Sequence, residues 1–459
     1  MRWQAAFLLA SRAGDRHDAD STVNIGRHRP LNFFRRHAWL ALLLALGLVR
    51  ADAQEALRQS LAGDVAAAGR QQAQSTVGYY NLLWGPVSLR FNAAASAEYT
   101  DNSRSSASHQ SSDEIFRPSA NADLNWPVTE WNTLNVSLAA GYSFYAQNSD
   151  LNQFYLNPGS GISFEMFVGD WVLNFHDRAS VSENTYENPT YNGRSSNAQM
   201  QNDAGVSGRW DLNKIVLNTG FDHVNYTSLD GGRGQPDSSS ENFSLNLAYK
   251  VLPELLVGVE GGLGLISYAA AGATNTVAVR DATQWSGGVF SSWQASEHLS
   301  MRLDAGYTVY SPGQTGTNLF LVGTNIVALP VGGDYTALYF QFSVSHTVNE
   351  HVSYTLSAGH SVDFAYNGSP TDRYFVALNP RWNFIRNFSV SPSFRWESGS
   401  QLATGATSYD QYGVGLTVGC SLTQKLSASA YYQWVMETAN QAALNYTANI
   451  VGLNLAYRF

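Results

Sequence analysis

One cysteine in 459 residues cannot close an intramolecular disulfide, so no disulfide framework holds this chain together. That single thiol and ten scattered histidines also argue against a structural zinc site, and no cofactor is expected. Charge is scarce: 14% of residues are Asp, Glu, Lys or Arg, well below the usual quarter. At 13% aromatic residues the chain is nonetheless too rich in rings for a disordered polymer. After residue 53 there is no run of 18 consecutive apolar residues, which excludes a bundle of membrane-spanning helices. What is present is a large, weakly charged sequence rich in glycine and aromatics.

Residues 33–53 read FFRRHAWLALLLALGLVRADA. Arg35 and Arg36 form a basic start, Ala38 to Val49 an apolar stretch of 12 residues, and Ala51-Asp52-Ala53 an A-x-A cleavage site. The stretch is short for a spanning helix and fits a secretory signal peptide cut after Ala53. The polar prelude 1–32 makes 1–53 a signal peptide with an unusual N-terminal extension. Residues 1–53 carry 8 Lys+Arg and 4 Asp+Glu, leaving 19 basic and 32 acidic residues, a net charge of −13. An anionic chain with dispersed cations is a poor nucleic-acid binder, and that class is set aside.

Residues 54–86 read as a periplasmic leader. Within it Leu57, Leu61 and Val65 recur at helical spacing, so a short helix is one option there. From Val87 to Phe459 the period is two. Val451, Leu453, Leu455, Tyr457 and Phe459 alternate with Gly452, Asn454, Ala456 and Arg458. Alternate residues of a strand face opposite sides, so one face is apolar and aromatic and the other polar or small. Eighteen such segments can be counted, with 153–168 taken as one of them. Many run to 13–16 residues, longer than an ordinary globular strand. Their connections alternate between very short turns (Gly169-Asp170, Pro253-Glu254, Asn349-Glu350) and long polar loops (102–112, 187–196, 230–238, 400–408). That asymmetry predicts an all-β transmembrane antiparallel up-and-down barrel over 87–459, of about 18 strands (16–20). A soluble sandwich would show shorter strands, and a propeller a repeated blade, which is not found. Trp126, Trp131, Trp171, Trp210, Trp293, Trp382, Phe384 and Phe388 lie beside short turns and predict a periplasmic aromatic girdle. Leu455, Tyr457 and the terminal Phe459 resemble the C-terminal assembly signal of bacterial outer-membrane proteins. They imply the barrel-assembly machinery and periplasmic chaperones as partners, with outer-membrane lipid as solvent.

Three segments carry a family resemblance: Trp84-Gly85-Pro86-Val87-Ser88-Leu89-Arg90-Phe91, Glu98-Tyr99-Thr100-Asp101-Asn102 and Ser112-Asp113-Glu114-Ile115-Phe116-Arg117-Pro118. Together they resemble the β-barrel porin 2 family of Gram-negative outer membranes, most evidently over 84–126. The resemblance implies an outer-membrane barrel and supplies no substrate or catalytic residue.

Strand parity predicts that Arg90, Glu98, Arg117, Asp123, Arg178, Arg209, Glu260, Arg302, Asp304, Asp363, Arg381 and Arg395 line a pore. Such a lumen would admit small polar solutes by passive diffusion, with the charges setting selectivity. No catalytic motif is found, and no enzyme is expected. His176-Asp177 and Asp222-His223 are adjacent pairs, but neighbours on a strand face opposite sides and cannot form one dyad. Asp/His pairs across strands depend on register, which leaves an outer-membrane hydrolase as a third reading. The second is a closed or plugged barrel serving as envelope scaffold or in polysaccharide export. His360 falls on the apolar parity near an outer rim. Loop 311–334 is unusually apolar and would fold into the mouth as a constriction, pair with itself as a hairpin, or extend its neighbours. The small stretches Ala93-Ala94-Ala95 and Gly261-Gly262 would suit a homotrimer contact, or simply a barrel wall.

Overall fold

The computed structural model describes residues 80–108, 110–182, 199–229, 237–269, 281–313, 317–322, 325–330, 334–364, 370–385, 387–401 and 408–459. At 182, 317–322, 325–330, 362–364, 370, 401 and 443 it describes the backbone alone. The signal and helix expected in 1–79, and the loop tips 187–196 and 402–407, lie outside the described residues.

The strands of the first half are β1 (Leu82–Trp84), β2 (Val87–Thr100), β3 (Asp113–Pro127), β4 (Thr133–Tyr145), β5 (Gln153–Leu156), β6 (Gly161–Val168), β7 (Trp171–Ser182), β8 (Gln199–Asp211), β9 (Ile215–Ser228), β10 (Ser238–Leu252) and β11 (Leu255–Tyr268). Those of the second are β12 (Ala282–Ser296), β13 (Leu299–Pro312), β14 (Thr317–Val322), β15 (Asn325–Pro330), β16 (Tyr335–Thr347), β17 (Val352–Phe364), β18 (Pro370–Ile385), β19 (Phe388–Gln401), β20 (Ser408–Ser421), β21 (Leu426–Ala439) and β22 (Tyr446–Arg458). Each wall strand pairs antiparallel with the next, and β22 returns to β2 from Asn92↔Arg458 to Thr100↔Ile450. The result is a closed barrel of 18 staves. Closure matters because an open edge would leave a row of unpaired N–H and C=O groups, untenable in hydrocarbon.

Two details depart from the sequence reading, and a third selects one of its alternatives. The segment 153–168 is one stave broken in two: β4 pairs with β5 over Ala140–Ser143 and with β6 over Thr133–Ser137. The break falls on Asn157-Pro158-Gly159-Ser160, where Pro158 has no N–H to give the ladder. Residues 82–84, assigned to the leader, fold back as β1 onto β2 (Leu82↔Leu89, Trp84↔Val87) through a turn in which Gly85 has φ 59°. The apolar loop 311–334 resolves as a self-paired hairpin, β14 on β15, in a sheet of its own.

The exposed parity of the wall is the apolar one. Val259, Val289, Leu303, Leu338, Val451 and Leu453 are exposed while their flanking neighbours on the opposite face are more covered. On the short-turn rim Trp171 stacks on Trp210 at 5.2 Å, and Trp382, Phe384 and Phe388 form a chain of ring contacts at 5.4 and 6.1 Å. An exterior this apolar suits a bilayer and not water. Among the described residues no helix is long and apolar enough to cross a membrane. The inward face is not uniformly polar, in contrast to the parity reading. Val216 with Ala248 and Phe290, Ile266 with Ala282 and Tyr310, and Val435 with Tyr446 and Ala448 make three small apolar clusters there. The concave side of a barrel crowds its side chains, and rings fill space between charged groups.

The connection after β2 is tied to the one after β4. The Asp113 carboxylate accepts from the backbone N–H groups of Glu114, Gln147 and Asn148, each at 2.9 Å, and from Asn148 Nδ2 at 2.7 Å. Arg104 Nη2 donates to both Asp150 oxygens at 2.7 Å. These bonds from Arg104 hold the Asp150 carboxyl below the usual carboxylate range. A group lowered in the folded state adds stability above its unfolded pKa, and that contribution is lost as pH falls through the folded value. Asp150 is more than half exposed, so the energy is small and screened by salt. Its carboxyl titration, followed by carbon-13 NMR, should have a midpoint below that of free Asp and return to it in R104Q. An unshifted midpoint in the unmodified protein would show the contact absent in solution.

Candidate functional site

The antiparallel register decides which inward charges meet. Arg90 on β2 stands opposite Asp123 on β3, and the pair closes at 2.9 Å, with Ser137 Oγ donating to Asp123 at 2.7 Å. Arg117 on β3 meets Glu98 on β2 at 3.0 Å, and Tyr431 from β21 donates its hydroxyl to Glu98 at 2.6 Å across the closing seam. Arg302 and Asp304, two apart on β13, bond at 2.7 Å; Glu260 on β11 lies 3.5 Å from the same guanidinium. Tyr339 on β16 donates to Glu260 at 2.7 Å, and the Arg302 guanidinium lies over the Phe290 ring at 5.0 Å. Arg395 reaches Glu397 at 2.8 Å.

The remaining expected pore residues are more loosely held. Arg178 is 3.6 Å from Asp203 and Arg209 is 3.8 Å from Asp211, while Arg381 Nε donates to Asn383 at 3.3 Å. Asp363 stands opposite Thr371 in register, and its side chain lies outside the described residues. Opposite charges on the same or neighbouring staves thus close into pairs within the wall, so the field along the interior is locally dipolar and not of one sign.

Several residues that complete these pairs are absent from the parity reading. Glu397 binds Arg373 at 3.2 Å as well as Arg395, and accepts from Tyr409 at 2.8 Å. Gln411 donates to Glu437 at 3.3 Å and to Tyr446 at 3.2 Å. Glu397 shares parity with Arg395, a signal available in the sequence; the tyrosines come from strands whose register no alternation reveals.

The histidines divide between the two faces. His176 on β7 points inward and its Nε2 is 2.9 Å from Asp222 Oδ1 on β9, two strands away. His223 is on the other parity and pairs with Glu241 at 2.7 Å. So neither adjacent sequence pair is a dyad, as parity required, and the register builds a different one. His360 shares the face of Phe340 and Tyr374, directly opposite it on the flanking strands. It is 2% exposed, lies under those rings with centroids 6.0 and 4.2 Å away, and pairs with Asp372 through Nε2 and the Leu338 carbonyl oxygen through Nδ1. A histidine on the outer face is thus covered and doubly bonded, not merely interfacial.

No family model matches the chain, the one resembled over 84–126 included, and no curated protein matches it. Solved structures similar to it include OccAB3 of Acinetobacter baumannii, 11% identical with a TM-score of 0.44, covering 81% of this chain and 99% of that one. The outer membrane protein OpdK of Pseudomonas aeruginosa is 9% identical with a TM-score of 0.42, covering 81% and 98%. OmpT, an outer membrane protein of Vibrio cholerae, is 11% identical with a TM-score of 0.39, covering 82% and 99%. At these scores the likenesses carry no argument about function, which rests on the barrel's own geometry.

Proposed function

We propose that this chain is a porin-like channel of a Gram-negative outer membrane, passing small polar solutes by passive diffusion. The observation that carries the reading is a closed 18-stave barrel with an apolar, ring-edged exterior and a charged, ion-paired interior. Barrels of 16–18 strands are wide enough to leave an aqueous channel. Arg90, Glu98, Arg117, Asp123, Arg178, Arg209, Glu260, Arg302, Asp304, Asp363, Arg381 and Arg395 are the proposed lining. Leu455 and Tyr457, on the exposed face of the last strand, and the exposed Phe459 just past its end are proposed as the signal read by the barrel-assembly machinery. Small residues at 93–95 and 261–262 are the proposed contact of a homotrimer.

An enzymic role has less support. A hydrolase would need a nucleophile beside an Asp–His pair at the rim; His176–Asp222 lies within the wall beside a second carboxylate, Asp203, and His360–Asp372 sits on the outer face against the Phe340 and Tyr374 rings. Because most of the described interior charges are paired, we expect steady ohmic steps in planar bilayers with a reversal potential near zero across a salt gradient. Silence from protein shown by circular dichroism to be folded would sink the channel reading and favour a closed scaffold or export barrel.

A further inference from the structure

Three strands in a row, β7, β8 and β9, each send one metal-ligating side chain to the same inward spot. They are His176, Asp203 and Asp222, whose ligand atoms all lie within 4.8 Å of one another. His176 Nε2 is 2.9 Å from Asp222 Oδ1 and 3.8 Å from Asp203 Oδ1. Around a tetrahedral ion with bonds of about 2.1 Å, neighbouring ligands stand roughly 3.4 Å apart. The two separations from the imidazole fall on either side of that value, and the third lies within 4.8 Å, so the three atoms are close enough to converge on one ion.

Two further observations point to a ligand. His176 is nine-tenths buried with its Nε2 turned to the two carboxylates, while Asp203 Oδ1 is buried with no hydrogen-bond donor. A buried carboxylate oxygen without a donor is costly, and a cation supplies what it lacks. Arg178 is the one guanidinium paired with Asp203, at 3.6 Å, and it faces the other oxygen, Oδ2. The second observation is the floor of the site. Gly205 on β8 stands directly between His176 and Asp222 in register. A Cβ there would lie 2.2 Å from Asp222 Oδ1 and 2.5 Å from the Phe221 carbonyl oxygen. Asp222 therefore reaches across a strand to the imidazole because residue 205 has no side chain.

We propose that His176, Asp203 and Asp222 form a binding site for a first-row divalent cation such as zinc on the inner wall of the barrel. One imidazole nitrogen and two carboxylate oxygens are a ligand set such ions accept, with the lumen side left for water. The site was invisible to motif reading because its ligands are 46 residues apart at their extremes and meet only through register.

The test is isothermal titration of ZnCl2 into the refolded full-length chain in detergent at neutral pH, with folding followed by circular dichroism. The expected result is a saturable site that H176Q and D203N each weaken by more than the roughly 10–100-fold typical of losing an outer-sphere partner. H223Q, on the opposite face, should leave it intact. Zinc-edge X-ray absorption on the loaded protein should show one imidazole and oxygen neighbours, with no sulfur. Absence of saturable uptake by the folded chain would overturn the proposal, as would equal uptake by D203N, which keeps the shape of the carboxylate. Either result is independent of conductance: a conducting barrel that takes up no zinc refutes only the metal site.

Discussion

Replacing Glu397 with alanine is expected to destabilise the barrel by about 3–5 kcal/mol, the range for removing one partner of a buried ion pair. The carboxylate is 1% exposed and accepts at once from Arg373, Arg395 and the Tyr409 hydroxyl. Truncation leaves two guanidinium ions on adjacent strands facing each other with their shared counter-charge gone. E397Q, which keeps an acceptor oxygen and the shape but not the charge, should fall between. Urea unfolding in lipid vesicles, read by tryptophan fluorescence, measures the loss. The same substitution should draw the reversal potential towards anions in planar bilayers, because the dipolar wall then presents unbalanced positive charge. A variant as stable as the unmodified barrel would mean that water already replaces Glu397 around both arginines.

On the outer face the largest effect is expected from an inserted charge. Val289 lies at the middle of β12, 57% exposed, beside Val259 and Ala305 on the flanking strands. V289R should cost about 2–4 kcal/mol if that position sits at the bilayer midplane, and the same change at Leu255, next to the turn, about 0–1 kcal/mol. The depth dependence is the informative part. Equal costs at the two positions, or none at either, would mean that this face does not meet hydrocarbon.

The barrel was legible in the sequence because its cause is local. A strand in a membrane wall must alternate, and Val451 to Phe459 show the alternation without reference to any partner. Short turns such as Gly169-Asp170 marked the hairpins: Gly169 takes φ 60°, a conformation the favoured two-residue hairpin turns use and glycine adopts without strain. The break at 157–160 and the return of 82–84 onto β2 were written less clearly, since a single Pro or Gly is compatible with either a loop or a bent strand.

Parity likewise told which residues share a face, and Arg90, Arg117 and Arg302 meet acids of the expected face. It could not tell which partner each would take, since that depends on how far each strand has slid past its neighbour. A slip of two residues preserves every inward and outward side while re-pairing all of them. Hence Glu397 between two arginines, Tyr431 bridging the seam to Glu98, and His176 reaching Asp222 over Gly205 were decided only by the tertiary structure. The sequence by itself determined a closed, two-faced barrel, because solvation acts residue by residue. The particular contacts of its interior were decided by register, a property of strand pairs that no single strand encodes.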